Sequence, residues 1–398
     1  MTKYVQHELK VESNKEELAR QNFVMGMRSY VLHDMANGMR AAYDAKIEPA
    51  FERRQGRKPL DGPEVHKALK NETSFKFYSN MRCNTQEMSF RSVLPAIERN
   101  VENLNRKAKT LSQSTEKAAG SVDINSTFEI PKSVANIDVH LMPGSYVTEY
   151  AEDDVTQGAV YDNGISVFSM GFFGENLDDI GSTLALYISK KYPDFSPSKI
   201  LDLGCTIGHN TVPWARTYPE AEVHAIDVAA PALRYGHARA QSQGATVHFH
   251  QQSAEATEFE DESFDMIFSS MFLHEVPKDG IHKAFREAHR LLKPGGLMLH
   301  MELPPNKMLG AYDAFYMDWD SYYNKEPYYK TFRDMDPVKV CVAAGFKETN
   351  FIQYIVPSLG LYGRNAVLDS VKEALTEANE NTGRFGDGIM WYSFGAWK

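Results

Sequence analysis

Hydrophobic positions follow two different periods along this chain, and the change falls near Ser198. Before it, apolar residues recur every three or four positions over about residues 15–55, 62–70 and 76–110, which predicts amphipathic helices. After it, short apolar runs alternate with amphipathic stretches. That alternation predicts a parallel sheet with crossover helices. We therefore expect an α/β fold behind a mostly helical N-terminal region, with residues 110–135 as a linker or exposed loop.

Composition narrows the class of protein. The chain has 398 residues, 42% of them hydrophobic and 24% charged, which is ordinary for a globular protein with a large core. Its formal net charge of −10 makes it a poor partner for nucleic acid or an anionic membrane. The N-terminus does not resemble a signal peptide, and no apolar run is long enough to span a bilayer. Three scattered cysteines form no disulfide or zinc pattern, so we expect a cytoplasmic protein.

The turn after the first strand of the second half is the first candidate binding element. It reads Leu-Asp-Leu-Gly-Cys-Thr-Ile-Gly over residues 201–208, and a glycine-containing turn lets a ligand approach the backbone. Thr206 occupies the second glycine slot of a dinucleotide-binding turn, so its Cβ disfavours a pyrophosphate. A ligand without phosphates fits better. Cys205 lies inside this turn, and we interpret it as a packing residue rather than a nucleophile.

Asp227 ends the next strand. A carboxylate there can accept hydrogen bonds from both hydroxyls of a ribose, although an N-cap for the following helix is the structural alternative. Given the turn that precedes it, we favour the ribose.

Six short motifs in order carry a family resemblance. They are LDLGCTIG, AID, SAE, FEDESFDMIF, LHEV and LLKPGG, over about residues 198–302. This series resembles the class I, Rossmann-like S-adenosylmethionine-dependent methyltransferases, in particular the ubiquinone/menaquinone-biosynthesis type. The resemblance implies a seven-stranded, mostly parallel sheet whose last strand is antiparallel, with S-adenosyl-L-methionine as cofactor.

The resemblance also implies where the cofactor binds. Asp202, Gly204 and Gly208 should surround its methionine part, with Cys205 and Thr206 in the same turn. Asp227 and Val228 should hold the ribose. The adenine should lie at Ser253, Ala254 and Glu255, and the sulfonium at Ser270 and Met271.

His274 is the candidate catalytic residue. It follows the fourth strand, where open α/β sheets bind ligands, and an imidazole there can take a proton from an acceptor hydroxyl. The LHEV segment is similar to the one that holds the catalytic His of hydroxyl O-methyltransferases. The alternative is a structural His that pairs with loop backbone.

Two regions are candidates for the acceptor pocket. Nine aromatic residues crowd residues 312–332, within an insertion at about 306–335, which predicts either a lid over the acceptor or rings packed on the N-terminal helices. The candidate substrate residues are Tyr161, Arg82, Tyr316, Trp319 and Tyr323. Arg82 would hold an acceptor carboxylate, its alternative being a surface salt bridge.

The predicted organisation is a helical N-terminal domain over 1–134 and a methyltransferase domain over 135–398. The N-terminal domain would supply a pocket wall, a homodimer interface, or both. The predicted reaction is O-methylation of a small-molecule hydroxyl or carboxyl group. Carbon or nitrogen methylation, a non-methylating enzyme of the same fold, and a degenerate binding protein are the alternatives. No ligand spacing around His248, His250, His300 or Glu302 predicts a metal site.

Overall fold

The computed structural model describes residues 7–114, 120–174, 176–375, 377–384 and 388–398. Within them, eight strands form one sheet in the order β1-β4-β3-β2-β5-β6-β8-β7. The strands are β1 Ser121–Asp123, β2 Lys199–Leu203, β3 Glu222–Asp227, β4 His248–Gln251, β5 Phe264–Ser270, β6 Leu292–Glu302, β7 Phe351–Pro357 and β8 Met390–Trp397. Strands β1 to β6 pair in parallel, and β8 runs antiparallel to both β6 and β7.

The α/β prediction is confirmed, but the strand count of seven is one too low. Strand β1 adds to the edge of the sheet beside β4, with Ser121 opposite His248, in a region predicted as a linker. Three residues are too few to show a strand period, so the sequence gives no signal for it. Residues 115–119 of the predicted linker lie outside the described residues.

The helices surround this sheet and also build the N-terminal region. They are α1 Lys15–Tyr30, α2 Ala36–Ala42, α3 Glu48–Gln55, α4 Gly62–Leu69, α5 Thr73–Arg91, α6 Leu94–Glu98, α7 Val101–Ser112, α8 Lys132–Ala135, α9 Thr156–Phe168, α10 Asp179–Lys191, α11 Val212–Thr217, α12 Ala230–Ser242, α13 Lys278–Leu291, α14 Ala311–Tyr323, α15 Tyr329–Arg333, α16 Pro337–Ala344 and α17 Leu359–Lys372. Short π-helical segments, Val31–Met35 and Tyr43–Ile47, join α1, α2 and α3 into one run.

Local chemistry explains where that first helical run begins and ends. The Asn14 side chain accepts from the Glu16 and Glu17 backbone, and the Glu17 carboxylate accepts from the Asn14 N–H, which is a capping box. Gly56 ends the run in a left-handed conformation at φ 70°.

Alternating residues of the strands build two cores, one on each face of the sheet. Ile200, Met266 and Leu297 point into one, and their neighbours Leu201, Ile267 and Met298 point into the other. Both cores also contain residues from the N-terminal helices, such as Val24 on one side and Val31 on the other. The division at residues 134 and 135 stays a prediction about domains, but the N-terminal helices pack on the sheet rather than apart from it.

All three cysteines are free, as their spacing predicted. Among the described residues, we find no helix with the length and apolar character that crossing a bilayer requires.

Candidate functional site

The carboxyl ends of the parallel strands meet at one edge of the sheet, and a cavity opens there. Asp202, Asp227 and Ser270, at or next to the ends of β2, β3 and β5, all line it. An adjoining section follows the end of β4 and shares Gly204 and Asp227 with the main cavity. This is the edge at which open α/β sheets bind ligands.

The turn after β2 has the backbone form that its glycines predicted. Gly204, Thr206 and Gly208 all lie in the left-handed region, at φ 71°, 50° and 67°. A Cβ on Gly204 would lie 2.1 Å from the Phe272 ring, so only glycine lets this turn pack against the segment after β5. Thr206 tolerates the left-handed conformation while its N–H donates to Oδ2 of Asp227 at 2.9 Å.

Gly208 packs closely beneath the turn. A Cβ there would lie 2.7 Å from the Phe249 ring, and Gly208 is not among the residues that line either section. Its contact with the methionine part of the cofactor stays a prediction. Cys205 lines the cavity, and burial raises the pKa of its thiol well above the usual range, which fits a packing role and not a nucleophile.

Asp202 is a buried carboxyl group with one side left for a ligand. The Thr211 hydroxyl donates to its Oδ2 at 2.5 Å. Burial raises the pKa of Asp202 to about 8, against the lowering effect of that hydrogen bond and with a further rise from the Asp227 carboxylate. A cationic ligand group would reverse this shift.

Asp227 is not the N-cap of α12, which is Ala229, and its contact with a ribose stays a prediction. Its Oδ1 accepts from the Ala229 N–H at 2.9 Å, beside the start of α12, and its Oδ2 accepts from Thr206. Each carboxylate oxygen keeps a lone pair, and the side chain lines both sections of the cavity. Burial raises the pKa of Asp227.

The adjoining section is mainly apolar. Its walls include Ile226, Val228, Ala254, Phe272 and Val276, with Ser253 and Glu255 also present. An apolar section beside Asp227 suits the purine of S-adenosylmethionine, the Asp227 carboxylate suits its ribose, and the Asp202 carboxyl suits its ammonium group. The donor set therefore fits this cofactor.

His274 lies directly after β5, as predicted, but its protonation state differs from the neutral imidazole that a base requires. The ring is buried, it stacks on Tyr329 with centroids 4.0 Å apart, and its Nδ1 lies 2.6 Å from Oε2 of Glu302. Burial alone would lower the pKa of His274, but the surrounding carboxylates, Glu302 first, outweigh it and raise the pKa to about 9. The ring is therefore charged at neutral pH. Its role as a base stays a prediction.

Glu302 fixes the segment after β5. Its Oε1 accepts from the backbone N–H groups of Phe272 and Leu273 at 2.9 and 2.6 Å, while Oε2 faces His274. One carboxylate thus joins the end of β6 to the whole loop.

A second buried group lies further into the cavity. His140, Glu275 and Glu326 meet there from three separate segments and line the cavity wall. Sequence reasoning missed His140 and Glu326, and their spacing offers no signal. Glu275 follows His274 in the LHEV motif, but no role was predicted for it from the sequence.

The predicted substrate residues divide into two sets. Tyr161, Arg82 and Tyr316 line the cavity. Arg82 is not a surface residue: it is 1% exposed and donates to Asp320 at 2.5 Å and to Asn324 at 2.6 Å. Its charge is therefore already paired.

Trp319 and Tyr323 lie apart from this cavity, and their contact with the acceptor stays a prediction. Neither is among the residues described as lining the cavity. The Trp319 ring lies 4.3 Å from His66 and 5.2 Å from Phe75, and its Nε1 donates to Ser79. These rings pack α14 on the N-terminal helices, which is the alternative considered for them. Of the nine aromatic residues in 312–332, Tyr316 and Tyr329 line the cavity.

Two further cations face the cavity without a carboxylate partner among the described residues. Arg28 donates to the Phe168 carbonyl at 2.6 Å and to Oε1 of Gln86 at 2.8 Å. The Arg384 guanidinium lies 3.9 Å from the centre of the Tyr316 ring, and its buried Nε has no acceptor among the described residues. Burial lowers the pKa of Arg28 well below its usual range, and the nearby charge of Arg82 lowers it further.

Residues 200–296 match the family model of a methyltransferase domain. The chain contains a class I S-adenosylmethionine-dependent methyltransferase domain. The strands, turn and carboxylates that form the cofactor end of the cavity all belong to this segment or adjoin it.

Curated relatives match about a third of the chain. The ubiquinone/menaquinone biosynthesis C-methyltransferase UbiE of Pectobacterium atrosepticum is 35% identical over 123 residues, 29% of this chain and 48% of that protein. The demethylmenaquinone methyltransferase of Thermus thermophilus is 31% identical over 121 residues, 30% of this chain and 54% of that protein. The phosphoethanolamine N-methyltransferase 2 of Caenorhabditis elegans is 30% identical over 138 residues, 34% of this chain and 29% of that protein.

The chain thus spans about half the length of the first curated relatives it matches. Among solved structures, the phosphoethanolamine N-methyltransferase 2 of Haemonchus contortus in complex with S-adenosyl-L-methionine is 19% identical, covers 58% of each chain and has a TM-score of 0.40. A TM-score this low supports no conclusion about function.

Proposed function

We propose that this protein transfers a methyl group from S-adenosylmethionine to an oxygen of a small, anionic acceptor. One observation carries the proposal: the cavity is continuous from Asp202 and Asp227, at the strand ends, to a chamber whose wall includes Arg28 and Arg384, two arginines without a carboxylate partner among the described residues. When bound, S-adenosylmethionine supplies an activated methyl group on its sulfonium sulfur. The protein must then align the acceptor and exclude water.

Charge in the chamber favours an acid. Arg28 and Arg384 lie in the wall without a carboxylate partner among the described residues, and a buried cation gains most from an anion that binds beside it. The guanidinium group can hold a carboxylate by two hydrogen bonds.

The state of His274 favours the same class of acceptor. With a pKa of about 9, only about one ring in a hundred is neutral at pH 7, so His274 is a poor base there. A carboxylate acceptor is already ionised and needs no base. A hydroxyl acceptor would need its proton removed by another group. We therefore favour a carboxyl oxygen over the hydroxyl.

A specific observation supports a second candidate. Glu275 and Glu326 each have a buried carboxylate oxygen without a hydrogen-bond donor, which would suit the ammonium form of an amine acceptor. Nitrogen methylation is therefore the alternative, and carbon methylation has no comparable support in the chamber.

The test is a screen with isotopically labelled cofactor against small acids, phenols and amines. We expect a base-labile methyl ester among the products. If a base-stable methylamine is the sole product, the enzyme is an N-methyltransferase, which is the alternative. If neither a methyl ester nor a methylamine is labelled, the proposal is wrong.

Arg28 provides the matched variants. We expect Arg28→Met to raise KM for the acid about 10- to 100-fold, as for the loss of a hydrogen bond to a charged group. Arg28→Lys, which keeps the charge, should lose less. Cofactor affinity should stay within about twofold in both, since Arg28 lies on α1, outside the methyltransferase segment. Equal KM in the Met and Lys variants would contradict the role of the charge.

A further inference from the structure

Three side chains from distant parts of the chain converge in the chamber. His140 lies in the short 3₁₀ turn Val139–Leu141, Glu275 ends the 3₁₀ turn Leu273–Glu275 after β5, and Glu326 lies between α14 and α15. One nitrogen of the imidazole and one oxygen of each carboxylate all lie within 4.8 Å of one another. A metal ion requires donor atoms this close together.

The pairwise geometry places the imidazole between the two carboxylates. Nε2 of His140 lies 3.4 Å from Oε1 of Glu275, and Nδ1 lies 3.0 Å from Oε1 of Glu326. The three side chains are 13%, 17% and 3% exposed, in the order His140, Glu275 and Glu326. The group is therefore shielded from bulk water but open to the cavity that it lines.

Several polar atoms of this group lack the partner that burial demands. Within the part of the chain that the structure describes, Nδ1 of His140, Oε1 of Glu275 and Oε2 of Glu326 have no hydrogen bond of acceptable geometry. The Tyr329 hydroxyl, on a residue 3% exposed in the same wall, also has none. Buried polar atoms are almost always paired, so a set of unpaired donors and acceptors at one place indicates a ligand.

A protonated His140 is the competing explanation, since it would place one positive charge between two carboxylates. That arrangement still leaves Oε2 of Glu326, the oxygen that faces away from His140, without a hydrogen-bond donor among the described residues. A divalent cation would neutralise both carboxylates and use the imidazole as a neutral ligand. The left-handed backbone of His140, at φ 57°, holds the ring at this point at some conformational cost.

We propose that His140, Glu275 and Glu326 bind one divalent first-row transition-metal ion. A mixed set of one imidazole and two carboxylates suits Mn²⁺, Fe²⁺, Co²⁺ or Zn²⁺, and three protein ligands leave coordination positions open for an oxygen donor. Metal binding itself is independent of the methyl transfer proposed above. The role of the ion, to hold an oxygen of the acceptor, rests on that proposed function.

The probe is Co²⁺ added to the full-length protein after treatment with a chelator. Visible absorption of bound Co²⁺ reports its coordination, and the titration gives the stoichiometry. We expect one Co²⁺ per chain, and at least about a 100-fold loss of affinity in Glu326→Gln, which keeps the shape of the side chain. His140→Ala should lose as much, and circular dichroism shows whether each variant is folded.

His282→Ala is the control, because His282 lies on α13, outside the group. It should bind Co²⁺ like the parent protein. Absence of saturable binding in the parent, or equal affinity in the parent and folded Glu326→Gln, would overturn the proposal. Calorimetric titration of the metal-free protein with S-adenosylmethionine separates this failure from a failure of the cofactor site.

Discussion

Binding of S-adenosylmethionine should release a proton from Asp202. The side chain is 2% exposed, and burial raises its pKa to about 8. The methionine part of the cofactor carries an ammonium group, and the family resemblance places that part beside Asp202. An ammonium in contact stabilises the carboxylate and lowers its pKa again. The proton must therefore leave as the cofactor binds.

The pKa of Asp202 sets the number of protons released and the pH dependence of cofactor affinity. With a pKa of about 8, about nine in ten Asp202 side chains are protonated at pH 7, so binding there should release up to about 0.9 proton. Linkage fixes the direction of the pH dependence. Because only the cofactor-free protein holds this proton on Asp202, a lower pH should weaken the binding of S-adenosylmethionine. The affinity should fall about fivefold from pH 8 to pH 7, and by nearly tenfold, about 1.4 kcal/mol, from pH 7 to pH 6.

Isothermal titration calorimetry measures both quantities. Binding enthalpies at pH 7 in buffers of different ionisation enthalpy give the number of protons released, and titrations from pH 6 to 8 give the slope. Asp202→Asn is the matched control, since it keeps the Thr211 hydrogen-bond partner but cannot titrate. An unchanged slope in that variant would assign the proton to Asp227, whose pKa burial also raises. No proton release in the parent protein would refute the reasoning about Asp202.

Three further predictions concern other residues. Asp227→Ala should weaken the binding of S-adenosylmethionine by about 1.5–3 kcal/mol in calorimetry, the range for hydrogen bonds to a charged group, and unchanged affinity in the folded variant would exclude the ribose contact. Trp319→Ala should lower the free energy of unfolding by about 2–4 kcal/mol in urea denaturation, because the ring packs on His66 and Phe75, and should leave KM for the acceptor unchanged. The raised pKa of His274, about 9, contributes stability below pH 6.5 that is lost as pH rises through 9. Between pH 6 and 10 the parent should therefore lose on the order of 3 kcal/mol more than His274→Gln, and parallel pH curves for the two proteins would contradict this.

The cofactor half of the cavity could be predicted because it is built from consecutive motifs. Asp202 and Asp227 end neighbouring parallel strands, and the carboxyl ends of such strands meet at one edge whatever the rest of the fold does. Gly204 could likewise be assigned, since a glycine directly after a strand indicates a turn in which the backbone takes a left-handed conformation. Gly208 could not be assigned, because a packing glycine and a ligand-binding glycine look alike in sequence.

The acceptor half could not be predicted, because tertiary packing assembles it. His140 and Glu326 reach the chamber from loops with no periodicity. The aromatic residues of α14 show a second limit of prediction from sequence: it does not give the direction in which each ring faces. Their density indicates burial, but only the packed structure shows that Trp319 faces the N-terminal helices while Tyr316 faces the cavity.

Electrostatics connects the proposed reaction with the proposed metal. Transfer of a methyl group from a sulfonium to a carboxylate removes one positive and one negative charge, so the transition state is less charged than the reactants. Bare carboxylates beside the sulfonium stabilise the reactants more than the transition state, which slows the reaction. Glu275 lines both sections of the cavity, so its charge would act in this way. A cation shared by Glu275 and Glu326 would remove that penalty and would attract the anionic acceptor, so the proposed metal and the proposed carboxyl acceptor fit the same electrostatic requirement.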